Sequence, residues 1–535
     1  MKKVWANSLF IGGAIVGIAA TAAFSIELTL NSLTLESIQP IIDNKSSSIG
    51  STNQDYEFEN ALQEDVQQKA NSDSVLFYYI NWDAIFHRIG PASHLLKILE
   101  ANPKKEVVFI KRNNVNVDLS IINNNKEKYP NFKFINLDSI YLINSIQSVK
   151  TQDFFTQQVE NELNKLKNEG KKIDLYIDDV FLMRPITTVI RHFTENDFYS
   201  TRDFEQIKNN LINNFQNLNN LNSINMFGDG TASVDFYNNS VYNAFLLAKN
   251  EIIDNKYKSS KFLNIENKDI YENINGIEDL ILYLTYFITT NNKGNLEEKT
   301  KFFLPSKQMV DEINLDGANV LDLNIENKDF FNPYNSLEAD LIAFCRTFDP
   351  ELANDLYNIL KVKDFNNDDY NFMDNSINHV LSGRLLQTEE IIKEEAQKLV
   401  NLYNEITKDP AIDPKKVNII FKGHPRNAIP HIKDSLNWAI KGITGSGDPE
   451  WLKIVNPTIP YELYLINGVF MSDESKNKVV QLYVGYSTIN LFLYADDPSL
   501  KDIKDILINQ KEDATINSNF SKESKMFPST KRKVN

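Results

Sequence analysis

The chain has 535 residues, is 42% hydrophobic, and carries a net charge of -16 from 56 Lys and Arg against 72 Asp and Glu. Such a length exceeds the range in which one hydrophobic core keeps growing, so two domains are expected. The acidic balance, with its one basic cluster in the tail at Lys531-Arg532-Lys533, argues against nucleic acid as a partner; the single cysteine, Cys345, excludes an intrachain disulfide and a thiolate metal site.

In chain order, Lys2-Lys3 precede an uncharged, small-residue-rich stretch from Val4 to Ile26. It is long enough to cross a bilayer, while Ala20-Thr21-Ala22 offers a cleavage site, so residues 1–26 read as a signal anchor or a cleaved signal peptide. The lysines place the N-terminus inside and the body outside: a membrane protein with a single N-terminal span, or a secreted one if the signal is removed. Residues 27–74 are polar and read as a flexible tether.

Folded sequence is expected from about Ser74. Apolar runs predict strands at Val75–Ile80, Glu106–Ile110, Phe132–Leu137, Ile173–Ile177 and Ile224–Phe227, with helices at Pro91–Ala101 and Phe154–Lys167 between them. Residues 75–250 therefore form an α/β domain with a Rossmann-like βα order. Residues 251–375 are Asn-, Asp- and Ile-rich and read as a linker with an insertion around Asn291 to Thr300. A second series fills residues 376–497: a strand at Asn378–Leu381, a long helix at Thr388–Thr407, and strands at Val417–Phe421 and Lys478–Val484. Residues 498–535 are expected to be a C-terminal helix and basic tail.

The richest motif is Phe421-Lys422-Gly423-His424-Pro425-Arg426, where a buried strand stops at a Gly-His-Pro corner. A protonatable imidazole at the carboxyl end of a parallel strand sits where open α/β sheets bind ligands, and the hydroxyl pair Ser487-Thr488 after another strand could add donors to an anion. The six histidines show no metal-ligand spacing, no Walker sequence is present, and Gly445-Ser446-Gly447 runs into Asp448-Pro449 instead of a dinucleotide-binding helix.

Three ordered blocks, namely Lys422-Gly423-His424-Pro425, Ile459-Pro460-Tyr461-Glu462-Leu463 with Gly468-Val469-Phe470, and Val484-Gly485-Tyr486-Ser487-Thr488, resemble the nucleotide-sugar half of the bacterial sialyltransferases of glycosyltransferase family 80, the Pasteurella and Photobacterium type. Asn81-Trp82-Asp83-Ala84 and Leu182-Met183-Arg184-Pro185-Ile186 resemble further blocks of that family. The resemblance implies the GT-B architecture, two Rossmann-like domains facing a cleft, and sialyl transfer from CMP-Neu5Ac to a galactoside-type glycan acceptor with inversion and without a metal or other cofactor.

By the same resemblance the base falls in an Asp-Asp-Gly-like turn. Asp178-Asp179 is followed by Val180 where Gly belongs, whereas Gly228-Asp229-Gly230 keeps the central acid and the following glycine, so Asp229 is assigned as base. His424, Ser487 and Thr488 are assigned to the phosphate of the leaving group, with His424 able to give it a proton. Lys422, Gly423 and Pro425 fall at the CMP site, Glu462 at the ribose hydroxyls, and Asp178 and Arg426 toward the acceptor sugar. Asp178 replaces a histidine of the family, and Leu381-Ser382-Gly383-Arg384-Leu385-Leu386 lacks the Trp that packs on its acceptor, which leaves acceptor identity open. A transferase using another CMP-sugar such as CMP-Kdo, and an inactive surface carbohydrate-binding or adhesion protein of the same fold, are the alternatives.

Overall fold

The computed structural model describes residues 60–138, 145–181, 201–219, 221–228, 300–305, 336–362, 372–424 and 427–483, with isolated positions at 184, 185, 188, 189, 192, 280, 310 and 370. Seven parallel strands form the first sheet: β1 (Val75–Ile80), β2 (Val107–Arg112), β3 (Phe132–Leu137), β4 (Ile173–Asp178), β5 (Ser223–Phe227), β6 (Thr300–Leu304) and β7 (Ser336–Glu338), in the order 3-2-1-4-5-6-7. Its helices are α1 (Ala61–Ala70), α2 (Ile85–Ala101), α3 (Ser120–Asn123), α4 (Ile146–Thr151), α5 (Gln157–Asn168), α6 (Thr201–Asn219), α7 (Leu341–Arg346) and α8 (Pro350–Ile359).

The second sheet has four parallel strands, β8 (Ile377–Ser382), β9 (Val417–Lys422), β10 (Leu452–Ile454) and β11 (Val479–Tyr483), in the order 10-9-8-11, with helices α9 (Glu389–Thr407), α10 (Ile429–Thr444) and α11 (Tyr461–Ile466). β1 and β9 are buried along their whole length. A strand covered on both faces reads as a continuous apolar run, which is why these two stood out in the sequence. Strand order reverses between β1 and β4 and again between β8 and β11. Such switch points open a crevice outside the carboxyl ends of the strands.

One buried cluster runs from Leu76 and Phe109 of the first sheet through Phe344 and Ile359 to Tyr464 and Phe470 beside the second. A second cluster, with Leu399, Val400, Phe421, Ile432 and Leu436, lies between α9, α10 and their sheet. Across the join, Arg346 of α7 donates to the Leu465 carbonyl of α11 at 2.9 Å.

Three expectations are corrected. The tether expected over 27–74 does not reach Ser74: α1 begins at Ala61, capped by Asn60, and buries Leu62, Val66 and Asp65. Asp65 there accepts hydrogen bonds from Tyr176 at 2.5 Å and Lys301 at 2.7 Å, partners distant in sequence that the polar composition of α1 conceals. The helix expected from Pro91 begins at Ile85, with Pro91 in its interior. The span 251–375, expected as linker and insertion, supplies β6 and β7 to the first sheet, together with α7, which packs on α11, and α8, which packs on α2 and α3. The Val4–Ile26 stretch and the 498–535 tail lie outside the described residues; among those described, no helix is long and apolar enough to cross a membrane.

Candidate active site

β9 ends at Lys422 and the chain turns at Gly423. A Cβ on Gly423 would lie 2.5 Å from Ile432 Cδ1 of α10, so glycine lets α10 close over the strand end. Its neighbour is tighter: a Cβ on Gly383, just past β8, would fall 1.9 Å from Phe421 Cζ, and the Gly383 N–H donates to the Lys422 carbonyl at 2.9 Å. The two glycines bring the carboxyl ends of β8 and β9 side by side. Asn427 and His431 then tie the 383–387 loop to α10: Asn427 Oδ1 accepts from Leu386 N at 2.9 Å, and His431 Nε2 lies 3.1 Å from the Leu386 carbonyl. His424 is half-buried at this corner, its carbonyl accepting from Asn427 N at 2.9 Å.

Lys422 is buried, and its Nζ donates to the Pro457 carbonyl at 2.8 Å, which fastens the loop leading into α11. Burial lowers its pKa to about 8, against the pull of the Glu462 carboxylate, which favours the charged form.

Glu462, in the first turn of α11, is 1% exposed, and among the described residues neither of its carboxylate oxygens has a hydrogen-bond partner. Burial raises its pKa; its own backbone N–H, close by but outside hydrogen-bond geometry, and the charges of Lys422 and Arg88 oppose the rise. Arg88 stands in the first turn of α2, immediately after the carboxyl end of β1. A charge from the carboxyl side of each sheet thus acts on this one acid. A buried carboxylate without donors is costly, and in a native protein it calls for an explanation; a ligand that brings hydroxyl donors supplies one.

The facing edge of the first sheet is of a different kind. Asp178 is fully buried, and its carboxylate accepts from three backbone amides: Asn81 N at 2.6 Å, Trp82 N at 3.1 Å and Phe181 N at 3.0 Å. It clamps the β1 and β4 loops together, at the position expected to face the acceptor sugar. Asp179 holds His87 Nε2 at 2.9 Å, both buried, and Arg112 donates to the carbonyl and side-chain oxygens of Asn81 at 3.1 Å each. The Arg184 guanidinium lies over the Trp82 ring, 4.2 Å from its centroid, beside the same loop.

Of the residues singled out in the sequence, Lys422, Gly423, His424 and Glu462 come together at the carboxyl end of β9. Asp229, Pro425, Arg426, Ser487 and Thr488 lie outside the described residues. Their strands nevertheless end at carboxyl edges. β5 stops at Phe227, and Gly228 N donates to the Phe303 carbonyl at 3.0 Å; β11 stops at Tyr483, paired with Leu381 of β8. Sequence reasoning missed Arg88, since its approach to Glu462 is made by the fold and carries no local signal. Among the described residues no cluster of three or more His, Cys, Asp or Glu is placed to hold a metal ion.

No protein-family model and no curated protein matches the chain. Solved structures do. The GT-B domain of a sialyltransferase from Photobacterium damselae is 14% identical, with a TM-score of 0.42 over 80% of this chain and 89% of that one. An α/β-galactoside α-2,3-sialyltransferase from Photobacterium phosphoreum is 13% identical, with a TM-score of 0.40 over 84% and 98%. A 2,6-sialyltransferase from another Photobacterium, in a ternary complex with CMP and lactose, is 13% identical, with a TM-score of 0.42 over 80% and 70%. At these identities the reading of the site rests on this chain's own residues.

Proposed function

We propose that the chain is an inverting glycosyltransferase that moves sialic acid from CMP-Neu5Ac to a galactoside-type glycan acceptor. The observation that carries this reading is Glu462: a buried carboxylate with no hydrogen-bond partner among the described residues, in the first turn of α11 and within the field of Lys422 at the carboxyl end of β9. A ribose offers two adjacent hydroxyls, and their donation to the two carboxylate oxygens would remove the cost of burial.

Asp229 takes the proton from the acceptor hydroxyl, whose oxygen attacks the anomeric carbon of the donor sugar. The bond from that carbon to the phosphate oxygen breaks, and CMP leaves with the electron pair. His424, Ser487 and Thr488 donate to the phosphate oxygens as their charge grows, and His424 can pass a proton to the departing group. Lys422, Gly423 and Pro425 form the floor under the nucleotide, with Arg426 toward the acceptor. A monophosphate leaving group needs less compensation than a diphosphate, so protein donors suffice and a chelator should leave the rate unchanged. Residues 1–26 are proposed to anchor the body to a membrane or direct its export.

The test is release of CMP from CMP-Neu5Ac by the full chain, with and without lactose. Lactose-dependent release is expected, with Asp229→Ala slowed by about 100-fold or more and His424→Ala by a comparable factor. Failure of the wild type to bind or cleave the donor would overturn the assignment.

A further inference from the structure

The second sheet has another end. On its amino edge, away from Lys422 and His424, lies an open cavity of about 710 Å³ between the second half of α9, the end of α10 and the starts of β9 and β10. Val417 and Asn418 at the start of β9 line it. The length of that strand, at ~3.3 Å per residue, puts roughly 17 Å between this cavity and the Lys422 corner. The volume is in the range of small-molecule sites.

Its lining is specific. Tyr403 and Trp451 stack at 4.6 Å between ring centroids and 13° between planes, both half-buried on the apolar cluster of α9 and α10. Around them stand Asn404, Lys415, Lys453 and Glu450. Among the described residues the Lys415 and Lys453 ammonium groups and the Glu450 carboxylate have neither a salt-bridge nor a hydrogen-bond partner. Rigid aromatic surface supplies apolar contact at little entropic cost. The polar groups provide both donors, in the lysines and the amide, and acceptors, in the carboxylate and the amide. The helices α9 and α10 both end nearby, and their terminal carbonyls offset the surplus positive charge. An anion or a cation would use only half of this set. A polyhydroxylated, uncharged ligand, whose hydroxyls donate and accept while its C–H faces lie on aromatic rings, uses all of it.

We propose that this cavity is a second carbohydrate site, which binds a neutral oligosaccharide at the sheet edge opposite the transferase site and independently of it. The chain has four tryptophans, and two of them report separately: Trp451 on this cavity and Trp82 on the carboxyl edge of the first sheet. Full-length protein labelled with 5-fluorotryptophan, its signals assigned with Trp451→Phe and Trp82→Phe, is titrated with lactose, with a neutral galactose-terminated tetrasaccharide and with CMP. The expected result is a saturable shift of the Trp451 signal with the neutral sugars and none with CMP. Asn404→Ala/Glu450→Ala, which alters exposed groups only, should weaken that binding about tenfold, the loss of one to two hydrogen bonds. A Trp451 signal that ignores the sugars, that moves with CMP, or that titrates identically in the double variant overturns the proposal. If the sugars move Trp82 alone, this site fails while the transferase reading stands; if Trp451 responds in a protein that does not bind CMP, the reverse holds.

Discussion

The two carboxyl edges whose charges act on Glu462 treat buried charge in opposite ways. On the first sheet Asp178 accepts three backbone amides, Asp179 holds His87, and Arg112 is met by Asn81. On the second, Glu462 is equally buried and has no donor among the described residues, while Lys422 beside it is turned toward a backbone carbonyl. A satisfied buried group stabilises the fold and has no capacity left for a ligand; an unsatisfied one destabilises it and keeps that capacity. The contrast separates the clamp that joins the β1 and β4 loops from the buried acid beside β9 that keeps capacity for a ligand.

The largest expected effect tests the clamp. Asp178→Ala removes the acceptor for three buried N–H groups at once, and the loss should be about 3–5 kcal/mol in a denaturant-midpoint measurement, since each orphaned donor keeps its desolvation cost. Asp178→Asn retains one acceptor oxygen and should lose less. Donor affinity of the folded fraction should stay at the wild-type value. A loss under about 1 kcal/mol would break the comparison, because the clamp would then contribute no more than an ordinary surface contact.

Acid sharpens the same contrast between halves. In the first, burial alone would raise the pKa values of Asp65 and Asp174, but His94 and Lys301 for the one, and Lys69, Ser223 and Ser74 for the other, hold both below the usual range. Depressed carboxyl values stabilise above the unfolded pKa, and that stability is lost only as pH falls below about 4. In the second half, burial lowers the pKa of His379 on β8 to about 4. A histidine depressed in the folded state binds its proton first in the unfolded chain, so stability falls as pH drops from about 6.5 to about 4, by roughly 3 kcal/mol in all. Amide protection in β8, β9 and β11, corrected for the intrinsic exchange rate at each pH, should therefore fall more between pH 7 and 4.5 in wild type than in a chain without His379, the opposing contribution of Glu462 being common to both. His379→Gln should flatten that response. An equal loss of corrected protection in both sheets would remove the distinction.

How much of this the chain announces depends on whether the cause is local. β1 and β9 are buried on both faces, so their apolar runs are unbroken, and the expected spans fall within one residue of those found; Thr388 in front of Glu389 is a cap that can be read directly. The Lys422-Gly423-His424 corner is legible for the same reason. α1 is not, because its buried acid is matched by Tyr176 and Lys301, more than a hundred positions away. β6 and β7 follow long polar stretches whose composition hides them. The clamp made by Asp178 and the approach of Arg88 to Glu462 are likewise products of chain crossings that no periodicity records.

Glu462→Gln acts on the unsatisfied acid and should move two quantities in opposite directions. The wild-type carboxyl has its pKa raised by burial, so the folded state prefers the proton and stability declines as pH rises through the interval between the unfolded and folded values. The penalty grows with pH until the folded value is passed. An amide of the same shape carries no such charge, and the variant should be more stable than wild type by about 1–2 kcal/mol at pH 7.5. The advantage should shrink as pH falls and vanish below about 4.3, where both forms are neutral in either state. Over the same variant CMP affinity should drop by about tenfold or more, since a neutral amide is a weaker acceptor for ribose hydroxyls than a carboxylate. A gain in stability with affinity intact would mean that Glu462 is buried for some purpose other than the nucleotide. A loss of stability would mean that donors outside the described residues already satisfy the carboxylate, and Glu462 would then be a clamp like Asp178.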